Sequence, residues 1–105
     1  MRTQTPPGRR AKMMAISVEY PQEGEVITSS SYAFRISAAA PRVEIAIDGG
    51  GWTSCRRRDD YWWFEWSDYE SGVHQALVRE APRAGEDPAA RVRRFLVELP
   101  GSRLR

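Results

Sequence analysis

The chain of 105 residues carries one histidine, His74, and one cysteine, Cys55. Nucleophilic catalysis needs a nucleophile, a base and a group that orients the base, all within hydrogen-bond reach. Cys55 with His74 is the pair that composition offers, and the surrounding residues argue against it. Cys55 ends Trp52–Cys55, which reads as a strand returning from a glycine-rich hairpin, with no helix N-terminus to lower a thiol pKa. Its expected role is a small hydrophobe. His74 alternates in phase with Ala76 and Val78, so it is expected at a core boundary with its polar atoms satisfied. One cysteine and one histidine cannot build a zinc site. Asp59, Asp60, Asp68, Glu70, Glu86 and Asp87 fall in polar stretches but lack the ligand spacing of a calcium loop. Paired carboxylates for glycoside chemistry need a cleft, and a small sandwich offers a shallow one. Gly49–Gly51 precede no helix and read as a hairpin, not a phosphate cradle. The expectation is no catalytic residue, no cofactor, no metal and no enzymatic activity.

What remains is chemistry of contact. Residues 61–66 read Tyr-Trp-Trp-Phe-Glu-Trp. Aromatic rings favour strands and bury large areas. Alternation puts Trp62, Phe64 and Trp66 on one face and Tyr61, Trp63 and Glu65 on the other. The first face can seal a core. The second, with Trp52, is expected as an exposed aromatic patch on one sheet, beside an arginine run at Arg56, Arg57 and Arg58. Interfaces favour tryptophan, tyrosine and arginine, and exposed apolar patches mark binding surfaces. The interaction surface expected from sequence is therefore Trp52, Arg56, Arg57, Arg58, Tyr61 and Trp63. A protein partner or a homodimer is the first reading, and carbohydrate stacked on the rings is the alternative. The plain competitor is that these rings pack under a loop or under arginine stems. Nucleic acid is not expected, because the net charge is +2 and Asp59 and Asp60 offset the arginine run.

The elements that must position these residues follow from two-residue periodicity. Ile16, Val18 and Tyr20 alternate with polar or small neighbours and give a first strand. Pro21–Gly24 is a turn, and Glu25–Thr28 a short edge strand. Tyr32, Phe34 and Ile36 define the next strand, with a break at Ala38–Pro41. Val43, Ile45 and Ile47 give the cleanest strand, and Asp48–Gly51 turns it into Trp52–Cys55. Arg56–Asp60 reads as a charged loop before the aromatic strand, and Ser67–Gly72 as turn material. Val73–Glu80 and Arg91–Leu99 are the last strands. Val92 is out of phase with Phe95, Val97 and Leu99, which predicts a bulge. The sum is an all-β, antiparallel sandwich of about seven strands and no helix.

Length predicts one domain. The boundaries read as a basic tail over 1–13, a sandwich over 14–99 and a C-terminal tail over 100–105, with translation starting at Met1 or near Met13 and Met14. Lys12 is the only lysine among 16 basic residues. With a single cysteine no intrachain disulfide forms, so packing holds the fold. No apolar run approaches the length of a membrane span and none reads as a secretory signal. A membrane partner is not expected, and the default location is cytoplasmic.

Several local patterns together resemble bacterial immunoglobulin-like domains. They are Tyr20-Pro-Gln-Glu-Gly24, Val43-Glu-Ile-Ala-Ile-Asp-Gly-Gly50, Trp52-Thr53, Trp62–Trp66 and Gly72-Val-His-Gln-Ala-Leu-Val-Arg79. Their order over residues 15–99 is similar to that of accessory modules on secreted enzymes and surface proteins. It is similar too to early-set domains such as the dimerisation domain of sulfite-oxidase-type enzymes. The resemblance implies a sandwich and a non-catalytic role. It assigns no meaning to Arg56–Asp60.

Overall fold

A computed structural model describes residues 16–85 and 88–100. The tails read over 1–13 and beyond Pro100, the starts at Met13 and Met14, and the pair Glu86–Asp87 lie outside the described residues.

Nine strands follow one another: β1 Ser17–Tyr20, β2 Val26–Ile27, β3 Ser31–Ser37, β4 Val43–Ile47, β5 Thr53–Ser54, β6 Arg56–Arg58, β7 Tyr61–Ser67, β8 Gly72–Glu80 and β9 Ala90–Val97. They form a four-stranded sheet in the order β1-β3-β7-β6 and a five-stranded sheet in the order β2-β9-β8-β4-β5. The described residues contain no helix. This is the immunoglobulin-like sandwich that the periodicity predicts, antiparallel except that β2 pairs parallel to β9.

The alternation decides the layers. Val18, Phe34, Ile36 and Trp62 face inward from one sheet, and Val43, Ile45, Ala76, Val78, Phe95 and Val97 from the other; all are buried. Phe34 sits at the centre, edge-on to Tyr32, Phe64, Trp66 and Phe95 at centroid distances of 5.7, 6.2, 5.7 and 5.6 Å. Burying one such ring contributes about 1.5–3 kcal/mol. Ile27, Ala46 and Cys55 are also buried, although the periodicity does not single them out as core.

Three local expectations need correction. Arg56–Asp60 is not a loop: Arg56–Arg58 is β6, and Asp59 and Asp60 alone make the turn into β7. Both aspartates hold positive φ, 54° and 70°, as a two-residue hairpin turn matched to strand twist requires. Val92 makes no bulge: β8 and β9 stay in register from Gly72↔Val97 to Arg79↔Ala90, and Val92 lies opposite Leu77 on the outer face. The irregularity falls instead between Val18 and Tyr20 of β1. The return from β4 also differs. Asp48 and Gly49 form its turn, with Gly50 N–H donating to Ile47 C=O at 3.0 Å. The strand that follows then changes sheets: Thr53 and Ser54 pair with β4, Cys55 N–H donates to Val43 C=O at 2.9 Å, and Arg56 pairs with Trp63 in the other sheet.

Candidate interaction surfaces

The β6–β7 hairpin places four of the expected contact residues together. Arg56 lies opposite Trp63, and Arg58 opposite Tyr61. Trp63 is opposite Arg35 on its other side, in β3. A row Arg35–Trp63–Arg56 therefore crosses three strands on the outer face. Tyr61 meets Trp63 edge-on at 6.3 Å, and the indole N–H of Trp63 donates to the Arg58 carbonyl at 3.0 Å. The Arg35 guanidinium lies between two rings, 4.5 Å from the Tyr61 centroid and 4.8 Å from that of Tyr20. Each such cation–π contact is worth about 0.5–2 kcal/mol.

The charges on this face are not compensated. Among the described residues neither Arg35 nor Arg56 has a carboxylate in ion-pair range, and Arg35 Nε is buried without a hydrogen-bond partner. Arg58 reaches Asp59 at 3.9 Å, with both side chains largely exposed, a pair of little energetic weight. Arg57 points the other way, toward the edge of the core, 5.8 Å above the Trp62 ring.

Trp52 is not part of this surface. It precedes β5 of the five-stranded sheet, and its ring lies 3.9 Å from the Arg79 guanidinium of β8. Arg79 is in turn paired with Glu44 at 3.1 Å. The surface expected from sequence is thus split: Arg56, Arg58, Tyr61 and Trp63 gather outside one sheet, Arg57 turns inward at its edge, and Trp52 lies outside the other. Arg35 and Tyr20 were not singled out by sequence. Their signal is register, since only pairing shows that Arg35 stands across from Trp63.

Outside the five-stranded sheet lie two aliphatic rows, of which Val26, Val73 and Val92 are exposed and Ala46 is buried. Val26, Leu96 and Val73 form one cross-strand row, and Val92, Leu77 and Ala46 another. Arg94 lies between the rows and reaches Glu23 at 3.5 Å.

His74 has the boundary role the phase predicts. Its Nδ1 contacts Asp48 Oδ2 at 2.5 Å and its Nε2 the Glu70 carbonyl at 2.7 Å. Both partners are acceptors, and only the imidazolium has an N–H for each. Asp48 Oδ1 also accepts from Gln75 N–H at 2.9 Å, which ties the β4 turn to β8. The ring stacks on Phe95 and meets Trp66 edge-on. Burial pulls the His74 pKa down, but the hydrogen bonds to Asp48 and Glu70 and their negative potential outweigh it, and the net shift is upward.

Cys55 lies far from this cluster. It bonds beside Val43 at one end of β4, whereas Asp48 and His74 meet just beyond the other end. Five residues of strand, about 16 Å, separate the two. Burial first, and then the Glu44 charge, push the thiol pKa up to about 12, so it stays protonated and a poor nucleophile. No dyad is assembled. Among the described residues no three His, Cys, Asp or Glu side chains converge as a metal site. A cleft of about 310 Å³ at the end of the β3–β7 pair is lined by Ser31, Tyr32, Ala33, Glu65, Trp66 and Ser67. The Trp66 ring within it is already stacked on Tyr69 at 3.9 Å, which leaves little of its face for a ligand.

No protein-family model matches the chain, and no curated protein matches it in sequence. Solved structures share the fold. An endo-β-1,4-mannanase from Thermotoga petrophila aligns with TM-score 0.66 and 10% identity, over 81% of this chain and 20% of that one. An engineered protein aligns with TM-score 0.63 and 15% identity, over 80% of this chain and 20% of that one. The fibronectin(III)-like modules of Clostridium thermocellum CbhA align with TM-score 0.62 and 17% identity, over 80% of this chain and 97% of that one. The chain therefore spans about a fifth of the first two structures and nearly the whole of one fibronectin(III)-like module. At these identities the likeness is one of fold.

Proposed function

We propose that this chain is a non-catalytic, immunoglobulin-like accessory module that docks onto a protein partner, or onto a second copy, through the outer face of its four-stranded sheet. The observation that carries the reading is the row Arg35–Trp63–Arg56. Two guanidiniums with no carboxylate in ion-pair range among the described residues flank an aromatic ring on the outer face of the sheet, and such residues dominate the energetics of interfaces. The fit to a complete fibronectin(III)-like module supports an accessory role. The motif order that resembles early-set domains supports it further, because domains of that kind dimerise or attach to enzymes.

Affinity capture tests this. Wild-type chain and the Trp52→Ala variant should retain the same partner, or the same self-association by analytical ultracentrifugation. A Tyr61→Ala/Trp63→Ala double variant should lose it. Equal retention by all three, or a strict monomer that captures nothing, overturns the reading.

Carbohydrate is the second reading, favoured by the mannanase of which a fifth shares this fold and by the half-buried rings of Tyr61 and Trp63 on the same face. Tryptophan fluorescence titrated with mannan and a panel of other polysaccharides decides it. A flat response across the panel removes it.

A further inference from the structure

The β6 strand is the outermost strand of its sheet, and β7 bonds it on one side only. Backbone groups in an antiparallel ladder alternate between the partner and the opposite side; across the two-residue turn Arg58 and Arg56 bond to Tyr61 and Trp63, and Arg57 between them presents its N–H and C=O outward. Such an edge is a template for another strand unless something guards it. Here every residue of the strand is an arginine: Arg56 and Arg58 on the outer face, Arg57 on the inner rim. All three are exposed.

Their charge sorts the strands that can pair. Two copies aligned edge to edge, antiparallel, would set arginines against arginines, and like charges directly opposite are destabilising. The charge that blocks self-pairing becomes attraction for carboxylates. Arg56 and Arg57 have no carboxylate in ion-pair range among the described residues, and Arg58 has only a loose contact to Asp59. We propose that β6 is a docking edge for an extended acidic segment of a protein partner, which adds as a strand beside Arg56–Arg58 and sets its carboxylates against their guanidiniums.

This deepens the docking reading above and rests on it. The open backbone edge is what selects a peptide over a sugar polyanion, because a polysaccharide has no ladder of amides to pair with it. Asp59 and Asp60 at the hairpin tip repel acid there, so the partner's carboxylates lie toward the Arg56 end. The adjoining Trp63 ring gives the incoming strand an apolar contact on the outer face.

The test is a titration of amide-labelled protein, followed by NMR, with a synthetic peptide alternating glutamate and threonine. Its lysine counterpart and polygalacturonate serve as the other arms. Expected are shifts centred on Arg56, Arg57 and Arg58, slowed exchange of the outward Arg57 amide, and no binding of the lysine peptide. An Arg56→Glu/Arg58→Glu variant should bind at least about tenfold more weakly, with opposed charges turned to like charges at two positions. High salt should weaken the wild-type complex, since exposed pairs are screened. Polygalacturonate binding as well as the peptide without slowing Arg57 amide exchange overturns the proposal, and so does a glutamate peptide that leaves the Arg57 amide unprotected. If this edge alone is misassigned, the Tyr61→Ala/Trp63→Ala variant still loses its partner. If the docking face is misassigned, that variant keeps it.

Discussion

The two sheets turn outward with similar residues in opposite states. Each displays a tryptophan and arginines. Outside the five-stranded sheet, Trp52 covers Arg79, Arg79 binds Glu44, and Arg94 reaches Glu23. Outside the four-stranded sheet, Trp63 stands between Arg35 and Arg56, and neither guanidinium meets a carboxylate of the described chain. The first arrangement has spent its interactions within the molecule and contributes to stability. The second holds them open. Residue type does not separate a structural aromatic–arginine pair from a docking one, but the presence or absence of the counter-charge does.

The comparison can be broken most severely from beneath. Trp62 underlies the β7 hairpin and is buried in the shared core. Trp62→Ala should cost about 3–5 kcal/mol, read as a loss of unfolding free energy in urea. A loss below about 1 kcal/mol would mean that the four-stranded sheet does not depend on that ring.

The next test sets the faces against each other. Glu44→Ala leaves a partly buried Arg79 without its partner and should cost about 1–2 kcal/mol. Arg56→Ala, at an exposed site with no ion pair, should stay within about 0.5 kcal/mol. Equal effects in chemical denaturation would erase the distinction between spent and open charges.

A pH series sharpens the comparison at the end of β4. The pKa of His74 is raised in the folded chain, with Asp48 and the Glu70 carbonyl facing its two nitrogens and Phe95 and Trp66 packed on its ring. A group whose folded pKa lies above its unfolded value of about 6.5 adds stability that is full below that value. The contribution disappears as pH rises through the folded pKa. Stability measured from about pH 5 to 9 should fall across that window in wild type and be flatter in His74→Gln. Parallel curves would show that the imidazolium contributes nothing. The smallest effect is expected on the aliphatic rows: Val73, 77% exposed, should tolerate Thr within about 0.5 kcal/mol.

The sandwich was legible because the apolar period is two through most of the chain. From Ile16 to Val97 the positions the alternation names are buried or packed against the buried cluster, except Tyr20, which is in phase with Val18 but is exposed beyond the irregularity in β1. The nature of β6 was hidden because three arginines carry no hydrophobic alternation and Asp-Asp resembles loop rather than turn. Its strand character comes from pairing with the aromatic strand, not from its own propensity. Val92 was out of phase because it faces outward over Leu77, so the pattern recorded a second apolar face where a bulge was expected. The division of Trp52 from Trp63 was illegible for another reason. It follows from which sheet each return strand joins, a tertiary choice made at Cys55.

That crossover leaves no slack. A single buried residue separates Thr53–Ser54 in one layer from Arg56–Arg58 in the other. A one-place slip of either short strand would invert which of its side chains look outward, and the chain would carry the same error into the opposite layer. Neither edge can drift alone. These two short edge strands therefore hold each other's alignment, like paired gears that turn together or not at all.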